Sequence, residues 1–131
     1  MASIAVDDML ERGVLAPLDA EALDSFLQAP SLGVILAGDF ENPHGEGHDV
    51  AVALRELLRE HAGHIRGGVL TDASCKASLR VQVLPSIVFV AGGAVLEVVP
   101  RVRDWAEYAQ CFARYLGVAP PPGTSLLEAT A

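Results

Sequence analysis

Between Val81 and Glu97 the chain reads VQVLPSIVFVAGGAVLE: an apolar lead-in, a proline, a run of Val and Ile, two glycines and a second apolar run. Ser86–Ala91 and Ala94–Val99 carry the β-branched residues that favour strands. Gly92 and Gly93 supply the positive φ angles a two-residue hairpin loop needs. Pro85 has no backbone donor, which confines it to a sheet edge or the first residue of a strand. The stretch therefore predicts a hairpin whose first strand begins at or just after Pro85. Everything upstream has to supply the rest of a sheet and its cover.

Val6–Arg12 predicts a short helix stopped by Gly13, and Val14–Leu18 a short edge strand ending at Pro17-Leu18. Asp19 is a good cap for a helix over Ala20–Gln28, with Leu23, Phe26 and Leu27 on one face and Glu21 and Asp24 in the early turns where the helix dipole favours acids. Leu32–Ala37 is a short, wholly apolar run, the pattern of a strand buried on both faces. Gly38–Asp49 (GDFENPHGEGHD) is polar and glycine-rich and reads as a loop, with Asp49 as the cap of a helix over Val50–His61. In that helix Val50, Leu54, Leu57 and Leu58 share a face opposite Arg55, Glu56, Arg59 and Glu60. Ile65–Leu70 reads as a strand weakened by Gly67-Gly68, and a short helix runs from Asp72 or Ser74 to about Arg80. After the hairpin, Arg103–Leu116 forms a closing helix with Trp105, Ala109, Phe112 and Leu116 facing inward, ended by Gly117. Strands alternating with helices require parallel pairing and right-handed crossovers, and the hairpin adds antiparallel strands. The expectation is one domain over residues 1–118, a mixed central sheet with helices on both faces. A Pro-rich tail, 119–131, shows no packing pattern and is expected to be extended or mobile.

Composition narrows the partners. With 17 acids against 9 Lys and Arg the formal net charge is −8, and no basic stripe is present, which argues against nucleic acid. The acidic balance suits a basic peptide or protein, though it is also an ordinary solubility device. No apolar run approaches the ~20 residues that span a bilayer, so no membrane insertion is expected. The N-terminal MASIAVDDMLERG carries acids where an export signal needs a basic region, and the expected location is the cytoplasm. There Cys75 and Cys111, far apart and outside any C-x-x-C, are expected as thiols.

Two landmarks resemble the thioredoxin fold, a three-layer α/β/α sandwich. Strand Leu32–Ala37 with its following loop and long helix is similar to the strand that leads to the redox motif. Val83-Leu84-Pro85-Ser86 with its hairpin resembles the cis-proline loop, and a cis Leu84–Pro85 bond is implied by that resemblance alone. The redox chemistry is missing. Thiol exchange needs a low-pKa thiolate at the start of the long helix and a resolving cysteine beside it. Phe40–Asp49 contains no cysteine, and Asp39, Glu41, Glu46 and Asp49 would raise a thiol's pKa.

A thioredoxin-like fold without C-x-x-C and with an acidic loop in its place resembles the HyaE/HupG/HoxO family, accessory proteins of membrane-bound uptake [NiFe] hydrogenases. The resemblance covers roughly Leu15 to Gly117. It rests on LDAEALDSFL at Leu18–Leu27, strand Gly33–Ala37, the acidic loop around Asn42-Pro43, helix Leu54–His61, the segment Leu84-Pro85-Ser86-Ile87-Val88-Phe89, the Gly-Gly hairpin and Arg103-Asp104-Trp105-Ala106-Glu107. Membership implies a cytoplasmic, non-enzymatic chaperone without a cofactor. Its implied partner is the twin-arginine signal peptide of the [NiFe]-hydrogenase small subunit precursor, with other hydrogenase accessory proteins as further partners. In a fold of this kind Leu84 would offer its backbone to an extended peptide. Leu84, Pro85 and Phe40 would form an apolar floor, and Asp39, Glu41, Glu46 and Asp49 an acidic rim that matches a leader's paired arginines.

Each feature has a plainer reading. The acidic loop can be a solvated turn, Pro85 a strand opener, Leu84 a core residue and Trp105 a packing residue. All four histidines, His44, His48, His61 and His64, fall in one short span. His44-x-Glu46-x-His48 has ligand-like spacing, but a glycine-rich loop fixes no ligand geometry and no cysteine is near, so no metal is expected. Two rival functions remain: a redox protein using Cys75, beside Lys76, as a lone thiol, and a structural subunit of a hydrogenase maturation complex.

Overall fold

The computed structural model of the chain describes residues 3–38 and 45–117. Helix α1 (Ile4–Glu11) opens on Ser3, whose hydroxyl accepts from the Val6 N–H, and leads into strand β1 (Leu15–Leu18). Helix α2 (Ala20–Gln28) follows, its Asp19 side chain accepting from the Ala22 N–H as the cap chemistry requires. Strand β2 (Gly33–Ala37), helix α3 (Glu46–Glu60) and strand β3 (Arg66–Leu70) come next. A 3-10 helix over Ala73–Leu79 then precedes strands β4 (Ser86–Ala91) and β5 (Ala94–Pro100) and helix α4 (Trp105–Leu116).

The sheet runs in the order β1-β3-β2-β4-β5. β3 pairs parallel with β1 and β2, and β4 pairs antiparallel with β2 and β5. Period-2 alternation divides the core into two layers. Val34 and Leu36 of β2 and Ile87 and Phe89 of β4 join α1, α3 and α4 on one face. Ile35, Ala37, Val88 and Val90 join α2 and the 3-10 helix on the other. Every residue of β2 is buried, as its unbroken apolar run requires. The Gly92-Gly93 turn, with φ of 58° and 85°, is tied to the end of α2. Gly92 N–H donates to Ala29 O at 2.9 Å and Gly93 N–H to Leu27 O at 2.6 Å, which satisfies two carbonyls at that helix end.

Three expectations are corrected. Asp49 does not cap α3: the helix begins three residues earlier, at Glu46, with Gly45 at the cap position, so Glu46 and Asp49 lie in its first turn and not in a loop. The segment between Asp72 and Arg80 is a 3-10 helix. Trp105 does not face inward; it is 42 % exposed at the start of α4, while Tyr108, Ala109, Cys111 and Phe112 carry the buried face. β3 runs unbroken through Gly67 and Gly68. A Cβ on Gly67 would lie 2.7 Å from Val14 O and one on Gly68 2.5 Å from Leu18 Cδ1, so these glycines let β1 approach. The tail expectation for 119–131 lies outside the described residues.

Candidate functional site: the proline loop and its rim

The parallel strands β2 and β3 end on the same side of the sheet, where β4 begins. Ala37 pairs with Ser86, so the chain leaving β2 passes directly beside Pro85. The Leu84–Pro85 bond is cis. Pro85 is buried and Leu84 half-buried against the α2-side core, while Val83 is 42 % exposed. Ser86, wholly buried, donates its hydroxyl to Val83 O at 2.8 Å and so closes the loop on itself. Neither the N–H nor the carbonyl of Leu84 has a hydrogen-bond partner among the described residues. An unpaired donor and acceptor at a strand entrance can take up an extended chain.

The loop after β5 forms the next wall. Pro100 pairs with Ser86, and one step further the Arg101 N–H donates to Pro85 O at 2.8 Å. Arg101 holds a left-handed φ of 65°. Its guanidinium reaches the first turn of α3, where Nε and Nη2 donate to Glu46 Oε2 and Oε1 at 2.9 and 2.7 Å. Those hydrogen bonds hold the Glu46 carboxyl below the usual carboxylate range and push the Arg101 guanidinium up. Because the Glu46 value is depressed, the pair is fully formed above the ordinary carboxylate value and is lost as pH falls through the lowered one.

Of the seven residues the sequence singles out, Glu46, Leu84 and Pro85 are thus brought together, through Arg101. Asp49 sits one helical step beyond Glu46, exposed and with no ion pair among the described residues. Asp39, Phe40, Glu41 and His44 lie outside the described residues. His48, on α3, is within 3.2 Å of the Ser3 hydroxyl through Nδ1, and no group of three metal-ligating side chains occurs among the described residues.

Sequence reasoning missed four contributors. Val83, Val102 and Trp105 are exposed apolar side chains on the two segments that the Arg101–Pro85 hydrogen bond ties together. Alternation could not mark them, because they lie outside regular elements or at a helix's first residue. Arg101, the fourth, carried no signal at all. Beside Leu84 a small cavity of about 100 Å³ is lined by Ala37, Gly38, Leu70, Thr71, Ala73 and Lys76. Larger clefts flank β1 at its Gly13 and Asp19 ends. The nearest cation there, Arg66, is already used: it donates to Phe26 O and Ser31 O and lies 4.2 Å over the Phe26 ring.

Both cysteines are free thiols, and Cys75 and Cys111 are 6 % and 7 % exposed. Burial, reinforced by the Glu97 carboxylate, pushes the Cys111 thiol up. The thiolate that exchange chemistry needs is therefore disfavoured at Cys111, and access is closed at both.

Comparison with known proteins identifies the family and the fold. The family model described as "Hydrogenase-1 expression protein HyaE" matches residues 5–108. The hydrogenase expression/formation protein HupG of Rhizobium leguminosarum bv. viciae is 34 % identical over 88 % of this chain and 83 % of its own. HupG of Bradyrhizobium diazoefficiens is 33 % identical over 76 % of this chain and 72 % of its own. Among solved structures, thioredoxin from Trypanosoma brucei brucei superposes with a TM-score of 0.59 at 13 % identity, covering 66 % of this chain and 78 % of that one. A structure from work on thiol resolution in yeast mitochondrial 1-Cys peroxiredoxin gives 0.61 at 12 % identity, covering 70 % and 87 %. The fold is thioredoxin-like.

Proposed function

The chain belongs to the HyaE family of hydrogenase expression proteins, and from that premise we propose that it assists hydrogenase maturation as a non-enzymatic binding protein. Its ligand is the twin-arginine signal peptide of the [NiFe]-hydrogenase small subunit precursor, held in the cytoplasm before export. The observation that carries this reading is Leu84: its main-chain donor and acceptor have no partner among the described residues, and Val83 before it and Val102 and Trp105 on the segment bonded to Pro85 O are exposed. An extended leader pairs with that backbone as an added strand, and its apolar run covers those side chains. Main-chain hydrogen bonds are worth ~0.5–1.5 kcal/mol each after exchange with water. Ion pairs to the leader's arginines at an exposed rim add little and fade with salt. Binding is therefore modest, salt-sensitive and reversible, as a chaperone requires. Burial of Cys75 speaks against the lone-thiol alternative. Among the described residues no helix is long and apolar enough to cross a membrane.

The test is a pull-down of the small-subunit precursor with and without its signal sequence. Capture only of the signal-bearing form is expected. Equal capture of both forms, or of neither, removes the signal peptide as ligand. Asp39→Asn combined with Glu41→Gln is expected to weaken a twin-arginine peptide while leaving the melting temperature unchanged. Unaltered affinity at low salt removes those two carboxylates from the site.

A further inference from the structure

The Arg101–Glu46 pair is unusual for what it contributes to the fold. Its two side chains are 57 % and 46 % exposed, a setting in which ion pairs contribute little to stability. Yet Arg101 adopts a φ of 65°, a region that disfavours residues bearing a Cβ. Its backbone is fixed on both sides: the N–H donates to Pro85 O at 2.8 Å, and the carbonyl accepts from the Tyr108 hydroxyl at 3.2 Å. A strained, pinned backbone aims a long side chain at one exposed carboxylate. Backbone strain of this kind clusters at ligand clamps and switches.

The contact is also chemically specific. A planar guanidinium donates two parallel hydrogen bonds to one carboxylate, the mode in which a carboxylate takes any arginine and which a lysine ammonium cannot reproduce. The residue that makes it, Arg101, donates its backbone N–H to Pro85 O, next in the chain to Leu84, whose backbone is unpaired among the described residues. We infer that Arg101 is a built-in stand-in for the ligand's arginine: it occupies the Glu46 subsite in the free protein and is displaced when a peptide arginine binds. This rests on the reading above and deepens it by naming the residue that sets specificity. Because one guanidinium replaces another, the ligand gains from Glu46 only the difference between two like contacts. A lysine offers a poorer fork than Arg101 and does not displace it. The exposed carboxylate of Asp49, three residues along α3 from Glu46, stands ready for the released Arg101 or for the second arginine of the pair.

Fluorescence anisotropy with the full chain tests this. The probes are one labelled peptide with two adjacent arginines before an apolar run, and its Lys-Lys and Gln-Gln counterparts. Wild type is expected to prefer the arginine peptide. Arg101→Gln is expected to bind that peptide about 2- to 5-fold tighter and to narrow the Arg/Lys ratio. Adding Glu46→Gln to Arg101→Gln is expected to erase the gain. Arg101→Gly, which accepts the left-handed φ freely, guards against a loss caused only by the backbone. Equal or weaker binding of the arginine peptide by both Arg101 variants, with melting temperatures unchanged, overturns the inference and leaves the signal-peptide reading standing. If wild type fails to bind the arginine peptide, or binds the Gln-Gln peptide equally well, the signal-peptide reading fails and this inference with it.

Discussion

The Tyr108 hydroxyl donates to the Arg101 carbonyl at 3.2 Å and accepts from the Arg103 N–H at 2.9 Å. Tyr108 is itself 2 % exposed, on the buried face of α4, so the core of the domain reaches up through one oxygen to hold the loop that walls the candidate groove. Tyr108→Phe keeps the ring and removes that oxygen. It is expected to cost about 1–2 kcal/mol in urea unfolding, because a part-buried N–H and a carbonyl lose their partner. The Arg101 guanidinium should also lose order, read as sharpening of its Nε–H signal in NMR. A variant with unchanged stability and unchanged Arg101 signal would show that the hydroxyl does not hold the loop.

Burial pushes the Tyr108, Tyr115 and Cys111 groups up from their ordinary values. Each is neutral when protonated, so the folded state resists their ionisation. Their contribution to stability is complete below the unfolded values, about 8.5 for a thiol and about 10 for a phenol, and is lost as pH rises through the folded ones. The urea midpoint is expected to fall above about pH 9, and to fall less in Cys111→Ala. A flat alkaline limb in wild type would contradict this.

Neither thiol is accessible enough to react quickly. Cys75 and Cys111, 6 % and 7 % exposed, are expected to be labelled by iodoacetamide at pH 8 at least tenfold more slowly in the native protein than in urea, on the order of what burial of a thiol imposes. Rapid native labelling of Cys75 alone would revive the lone-thiol alternative.

Two aromatic residues of α4 are expected to behave oppositely. Phe112 is wholly buried, 5.4 Å centroid to centroid from Phe89 and 5.6 Å from His61, and Phe112→Ala should cost about 3–5 kcal/mol. Trp105 is exposed, and Trp105→Ala should cost about 1 kcal/mol or less while lowering affinity for the apolar leader peptide about tenfold. Denaturation and anisotropy measured on the same samples separate the two effects. Full peptide affinity in Trp105→Ala would remove it from the surface.

Gly67→Ala brings a Cβ within 2.7 Å of Val14 O and 2.9 Å of Leu15 Cδ2. A backbone oxygen cannot swing aside as a side chain does, so β1 must shift. A loss of about 1–3 kcal/mol is expected by denaturation. No loss would mean that β1 is not held against β3 by that close approach.

Much of the fold was legible because its signals are local. The Asp19 cap, the apolar run of β2 and the Gly92-Gly93 turn each depend on neighbours a few positions away, and α2, β2 and the hairpin lie where those signals put them. The start of α3 was not, because Gly45 and Gly47 resemble loop residues and Asp49 a cap. Gly47 is in fact buried in the first turn. Trp105 was misplaced for a related reason. The amphipathic stripe of α4 settles which face is inward only once a full turn exists, and a first residue can sit beyond the core's edge.

What the sequence by itself determined was the absence of a C-x-x-C motif and the order of strands and helices, since both follow from which residues are present and how apolar positions recur. Tertiary structure alone decided that Glu46 is held by a residue 55 positions away, that Tyr108 fixes the loop carrying that residue, and that Leu84 is left with its backbone unpaired among the described residues. Composition and periodicity carry no record of such contacts. They come into being only when the sheet brings the ends of β2, β4 and β5 to one edge and α3 starts there.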